Sequence, residues 1–115
     1  MNPRKFITST IDRLLNTVCV RDADALVFRA GHAPHIYISG KPMPVADYYL
    51  DMNEEDVWVA ARGLLPERLL EELEVTSRTS TAFDYGNVAR FKIEAEISRD
   101  GLRLNIWRRG TPQKS

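Results

Sequence analysis

Residues 87–97, NVARFKIEAEI, change character once along their length. After Val88 and Ala89 the residue types alternate strictly: Phe91, Ile93, Ala95 and Ile97 are apolar, while Arg90, Lys92, Glu94 and Glu96 are charged. A period of two is that of a strand with one dry face and one wet face. LRLNIW (102–107) and HIYIS (35–39) alternate in the same way, and the short apolar stretches ADALVFRA (23–30) and TAFDY (81–85) also read as strands. Between them, GHAP (31–34) breaks the chain and Gly40 turns it. GN (86–87) predicts a tight hairpin, and SRDG (98–101) predicts another turn. The segment KPMPV (41–45) reads as a short strand whose prolines suit only a sheet edge.

Helical spacing replaces alternation in two regions. Ile7, Ile11, Leu14, Leu15 and Val18 predict an amphipathic helix over 3–19, with Asn2 as its cap and Pro3 in its first turn. Asn53 is the expected cap of the next helix, and Glu54, Glu55 and Asp56 complement the dipole at its start. Val57, Ala61, Leu64 and Leu65 form its buried stripe, with Trp58 at the margin. Pro66 then opens a second short helix that turns Leu69, Leu70 and Leu73 inward. The order α-β-β-β-α-α-β-β-β separates helices from hairpin-linked strands. That order predicts an α+β fold with an antiparallel sheet and helices packed on one face.

The charged strand face carries a further pattern. If the 98–101 turn closes a regular hairpin, Ile97 faces Leu102, Ala95 faces Leu104 and Ile93 faces Ile106 on the dry side. On the wet side Glu96 faces Arg103, Glu94 faces Asn105, Lys92 faces Trp107 and Arg90 faces Arg109. The near end is charge-matched, and such pairs contribute about 0.2–1 kcal/mol each. The far end gathers Arg90, Lys92, Arg108 and Arg109 around Trp107 with no acid expected from these two strands. Like charges set opposite one another weaken a sheet unless something anionic neutralises them. This end is therefore the expected partner-facing site. The alternative is a solvated face whose cations guard a sheet against aggregation.

The chain has 115 residues, 43% hydrophobic and 28% charged, which is the composition of one ordinary globular domain. We assign that domain to residues 1–109 and expect the polar GTPQKS (110–115) to be a disordered tail. Sixteen basic residues balance sixteen acidic ones. There is no global pull toward nucleic acid or anionic membrane, and the basic cluster around Trp107 is small for a single-strand binder. The lone Cys19 permits no internal disulfide, and the N-terminus lacks the apolar core of a signal peptide. Both fit a cytoplasmic protein. No apolar run approaches the ~20 residues of a membrane helix.

Catalytic and metal chemistry find little support. His32 and His35 have an H-x-x-H spacing, but only Cys19 offers a further soft ligand, short of the three or four that zinc takes. Asp22 and Asp24 suit a solvated strand start better than an acid pair. No serine or cysteine stands in a nucleophile motif. The only GK pair, Gly40-Lys41, precedes Pro42 in a predicted hairpin and fails as a phosphate-binding loop. No cofactor, metal or catalytic activity is expected.

The string FDYGNVARFKIEAEISRDGLRLNIWRR (83–109) resembles the end of the N-terminal domain of PilT-type ATPases. These retract type IV pili and belong to the wider type II/type IV secretion ATPase family. That domain ends with an aromatic-polar-aromatic strand, a tight turn, an ARFRVN strand and a closing strand that finishes on arginine. Phe83-Asp84-Tyr85, Asn87–Phe91 and Leu102–Arg109 fit those slots. Upstream, Asp24, Gly31, Pro34 and Gly40 match the family's DLHL…G.PP..RIDGEL segment, and MNEEDVWVAARGLLPERLLEELE (52–74) resembles its LTPEEV…LLPEEQ…LEE helices. Leu26 and Val27 stand where the family has its histidine, and Arg99 and Asp100 depart from its usual turn.

The resemblance implies a PAS-like α/β domain. In the family it sits beside a RecA-like motor in a ring of six copies, packs on the neighbouring motor, and brings arginines toward bound nucleotide. Arg90 matches such an arginine best, Lys92 replaces a second one, and Arg109 is a further candidate. A guanidinium suits that task because it binds phosphate oxygens in bidentate fashion. The motor itself is missing from this sequence, so a non-catalytic domain is expected, free-standing or part of a longer ATPase. Its expected partners are a pilus or secretion motor ATPase, or further copies of itself. A PAS-like domain binding a small ligand in its core is the alternative.

Overall fold

A computed structural model describes residues 8–45 and 51–110, with side chains from Thr10 onward in the first helix. The chain runs α1 (Thr8–Val20), β1 (Ala25–Arg29), β2 (His35–Ile38), β3 (Lys41–Pro44), α2 (Glu54–Leu64), α3 (Glu67–Thr76), β4 (Arg78–Tyr85), β5 (Ala89–Ser98) and β6 (Gly101–Arg108). The strands form one antiparallel sheet in the order β3-β2-β1-β6-β5-β4. This is the expected α+β arrangement. The start of the first predicted helix, with Asn2 and Pro3, lies outside the described residues, as does the expected tail beyond Gly110.

The core lies between the helices and one face of the sheet. Phe28, Phe91, Ile93, Leu102, Leu104 and Ile106 project from the strands and are almost fully buried. Leu14, Leu15 and Val18 of α1, Val57, Ala60 and Ala61 of α2, and Leu69 and Leu73 of α3 meet them. The β5–β6 register pairs Ile97 with Leu102, Ala95 with Leu104 and Ile93 with Ile106. That is the register the alternation predicts, because a slip of one residue would turn every apolar side chain to water.

Local chemistry fixes the ends of the elements. Asn53 accepts from the Asp56 amide at 2.8 Å, and the Asp56 carboxylate accepts from the Asn53 amide at 3.0 Å. This capping box satisfies two donors that the start of α2 would otherwise leave open. The β2–β3 hairpin turns on Ser39 and Gly40, both at positive φ, which matches the twist of the flanking strands. Proline-bearing β3 is an edge strand, as its composition requires.

The β4–β5 hairpin differs from the sequence reading in two respects. β4 begins at Arg78 rather than Thr81, because Arg78, Thr79 and Ser80 pair with Glu96, Ala95 and Glu94 of β5. The β4–β5 loop holds three residues, Gly86, Asn87 and Val88, rather than the two-residue GN turn, since Tyr85 pairs with Ala89. Aromatic packing explains the extra residue. The observed register sets Phe83 opposite Phe91, with ring centroids 5.5 Å apart. A two-residue turn would set Phe83 opposite Arg90 and turn β4 inside out.

The β5–β6 hairpin is tied to α2 by one side chain. Glu54 accepts from the Leu102 amide at 3.0 Å. Gly101 has φ 105°, and a Cβ there would collide with a Glu54 carboxylate oxygen. Gly101→Ala is therefore expected to destabilise the fold by about 1–3 kcal/mol through backbone strain and loss of the Glu54 contact. Urea unfolding checks this, and an unchanged midpoint would contradict it.

Candidate functional site

Among the described residues the helices cover one face of the sheet and leave the other open. Strand alternation puts Arg29, Arg78, Arg90, Lys92 and Arg103 on that open face, against the carboxylates Asp84, Glu94 and Glu96. The balanced total charge thus hides a cationic sheet face. α2 and α3 hold the compensating acids, including Glu55, Asp56, Glu67, Glu71 and Glu74.

Four of the five predicted partner-facing residues gather at one end of this face. Lys92 lies directly opposite Trp107. Arg90 and Arg109 are joined through their main chains, with the Arg109 amide donating to the Arg90 carbonyl at 2.7 Å. Trp107 is 39% exposed, the most exposed aromatic of the sheet. Arg109 is exposed and forms no ion pair with the described residues.

Arg108 does not belong with them. Alternation turns it to the helix side, where it is half-buried. Its Nε donates to the Ala23 carbonyl at 2.9 Å, and its guanidinium pairs with Asp22. It clamps the α1–β1 loop. The signal was available: in an alternating strand, Trp107 and Arg108 must take opposite faces.

The acids of this face pair differently from the expectation. Glu94, placed beside Asn105, accepts from the Trp107 indole at 2.9 Å and lies 3.9 Å from the Lys92 ammonium. The far end therefore does receive an acid from its own strands. Arg90 Nε donates to Asp84 of β4 at 3.0 Å, a partner visible only once β4 is known to flank β5. Glu96 faces Arg103 in the register but pairs with Arg78 on its other side. These pairs are roughly half-exposed, and such pairs contribute about 0–1 kcal/mol. They can exchange for a better anionic partner at little cost.

The remaining candidates resolve into structure. His32 and His35 rings sit edge to face, 6.5 Å apart, and His35 Nδ1 lies 2.6 Å from the Ala33 carbonyl. No group of three metal-ligating side chains occurs among the described residues. Asp24 accepts from the Ser39 amide at 3.1 Å and Asp22 pairs with Arg108, so they do not act as an acid pair. Thr79 is the one buried polar residue among those described, and its hydroxyl donates to Glu72. Every buried side-chain polar atom described has a partner.

Solved structures share this arrangement. The pilus retraction motor PilT with bound ADP superposes with a TM-score of 0.72 at 19% identity, over 96% of this chain and 30% of that one. The Legionella pneumophila ATPase DotB gives 0.74 at 14% identity, over 99% and 31%. The Yersinia pseudotuberculosis ATPase DotB gives 0.63 at 15%, over 97% and 32%. The fold is one that PilT and DotB contain. This chain spans about a third of the length of those ATPases, which supports the resemblance to their N-terminal part. No protein-family model and no curated protein matches the sequence. No helix among the described residues is long and apolar enough to cross a membrane.

Behind this end of the sheet, two acidic hydrogens are held more tightly than usual. Burial pushes the Cys19 thiol up, and the Arg108 guanidinium opposes part of that shift. Burial also raises the Tyr85 hydroxyl, helped by the charges of Asp12 and Cys19. Tyr85 donates to the Asp12 carbonyl at 3.1 Å and so ties β4 to α1. Both groups favour their neutral forms in the folded chain. Each contributes stability that is full below its ordinary value, 9.0 for the thiol and 10.0 for the phenol, and is lost as pH rises beyond that value. Arg108→Ala removes the opposing cation, so the pH profile of Cys19 labelling should move further upward. A profile that stays put would show that Arg108 does not act on the thiol.

Proposed function

We propose that this chain is a non-catalytic protein-interaction domain that docks onto a RecA-like ATPase motor through the Arg90–Trp107 end of its open sheet face. One observation carries the reading. An exposed tryptophan and three neighbouring cations, Arg90, Lys92 and Arg109, stand on the uncovered face of a fold that secretion and pilus ATPases also contain. A helix-covered face could not meet a partner without unfolding, whereas this one is already free of helices. Trp107 supplies a large rigid contact of the kind that anchors interfaces. The cations supply charge-assisted bonds to carboxylates or nucleotide phosphates on the motor. Arg90 is the residue we assign to such a phosphate, because its exposed Asp84 partner can yield it.

The test is binding of the whole chain to a purified motor domain of a PilT-type ATPase, with and without ADP. Arg90→Ala is expected to lower affinity about tenfold, the effect of losing one bond to a charged group. Its thermal unfolding should match the parent chain, because the Asp84 pair is exposed. Equal affinity of variant and parent would return Arg90 to an ordinary solvated surface.

A further inference from the structure

The sheet has two outer edges of different character. β3 is four residues long and carries Pro42 and Pro44, which cannot donate to an added strand. β4 is eight residues long, RTSTAFDY, with no proline, and no described strand pairs with its outer side.

The hydrogen bonding shows which groups that edge presents. The Ile97 amide donates to the Ser77 carbonyl at 2.9 Å, so the odd-numbered residues of this segment turn their main chain toward β5. Antiparallel alternation then leaves the amides and carbonyls of Arg78, Ser80, Ala82 and Asp84 facing outward, and of these the Arg78 carbonyl already accepts from the Thr76 hydroxyl at 2.8 Å through one of its two lone pairs. The side chains of the same four residues lie on the open face of the sheet. In order they are a cation, a hydroxyl, a methyl and an anion.

That order complements itself. About a two-fold axis through Thr81, Arg78 faces Asp84 of a second copy and Ser80 faces Ala82 of it. The match extends inward, because Arg78 already pairs with Glu96, and Asp84 already pairs with Arg90. Each end of the joint would then read Glu96, Arg78, Asp84, Arg90 across the two copies, with signs alternating at every step. Shifting by two residues, the smallest slip that keeps faces and amides in phase, removes the cation–anion match. Ser80 and Ala82 at the centre are small enough for close approach.

We propose that a second copy of this chain adds its β4 to this edge, antiparallel about Thr81, and joins the two six-stranded sheets into one. The two-fold makes the contact isologous and closes it at two copies. The inference does not rest on motor docking, and its test uses this chain alone. Sedimentation of the full chain over a concentration series is expected to reach twice the 13.1 kDa chain mass. Asp84→Lys, which sets two cations opposite each other, should shift that equilibrium toward monomer by about tenfold or more.

A second variant reads the register. Thr81→Cys with Cys19→Ser should cross-link to itself on mild oxidation, because facing residues of a non-hydrogen-bonded pair come within about 4.5 Å at Cα. Ala82→Cys in the same background, which faces Ser80, should not. A monomer at every concentration would overturn the proposal. So would a dimer that Asp84→Lys leaves intact, or one in which Thr81→Cys stays unlinked.

Discussion

Everything in this molecule hangs on the burial of one sheet face. Phe28, Phe91, Ile93, Leu104 and Ile106 come from three adjacent strands and lie under the helices. Burial of one such side chain stabilises by about 1.5–3 kcal/mol, far more than any surface pair on this chain can. The core therefore dictates the register, and the register dictates the surface. Once Ile93 and Ile106 point inward, Lys92 and Trp107 must point outward and must lie beside each other. The cationic face is thus a geometric consequence of the apolar one. Which cations cluster was settled by where the apolar residues had to go.

Much of this could be read before any coordinates. The period-two stretches in β5 and β6 have a strong apolar face, and their mutual register follows from it alone. The Asn53 cap and the edge position of the proline-bearing strand were legible because each depends on a residue whose backbone chemistry is unusual. The missing parts depend on neighbours distant in sequence. β4 was under-read at its start because Arg78, Thr79 and Ser80 have no apolar face of their own. Thr79 is buried only because Glu72 of α3 takes its hydroxyl. Asp84 meets Arg90, and Glu96 prefers Arg78, because β4 flanks β5, which the sequence does not announce. The misplacement of Arg108 was of another kind. The alternation was present in the residues, and grouping by charge overrode it.

The comparison with PilT and DotB sets the scale of what is shared. At 14–19% identity the layers and strand order persist while most side chains differ. A conserved arrangement of that kind constrains which face is open and leaves its chemistry free. Here the open face has been filled with arginines, a lysine and one tryptophan. The surfaces of α2 and α3 carry the compensating acids. The separation of sign across a neutral chain gives it a direction, and an approaching anionic surface would orient it before any contact forms.

The order of the strands in the sheet has a last consequence, for the time course of folding. β1, β2 and β3 are joined by short turns, and so are β4, β5 and β6. The seam between the two halves is the pairing of β1 with β6, residues 25–29 with 103–107. Each half can form its hairpins locally and quickly, but the seam closes a loop that contains most of the chain. During synthesis, β1 must wait with one side unpaired until the final strand leaves the ribosome. The protein thus has a period of vulnerability set by the speed of translation, and its central strands, the best protected in the finished fold, are among the last to be secured.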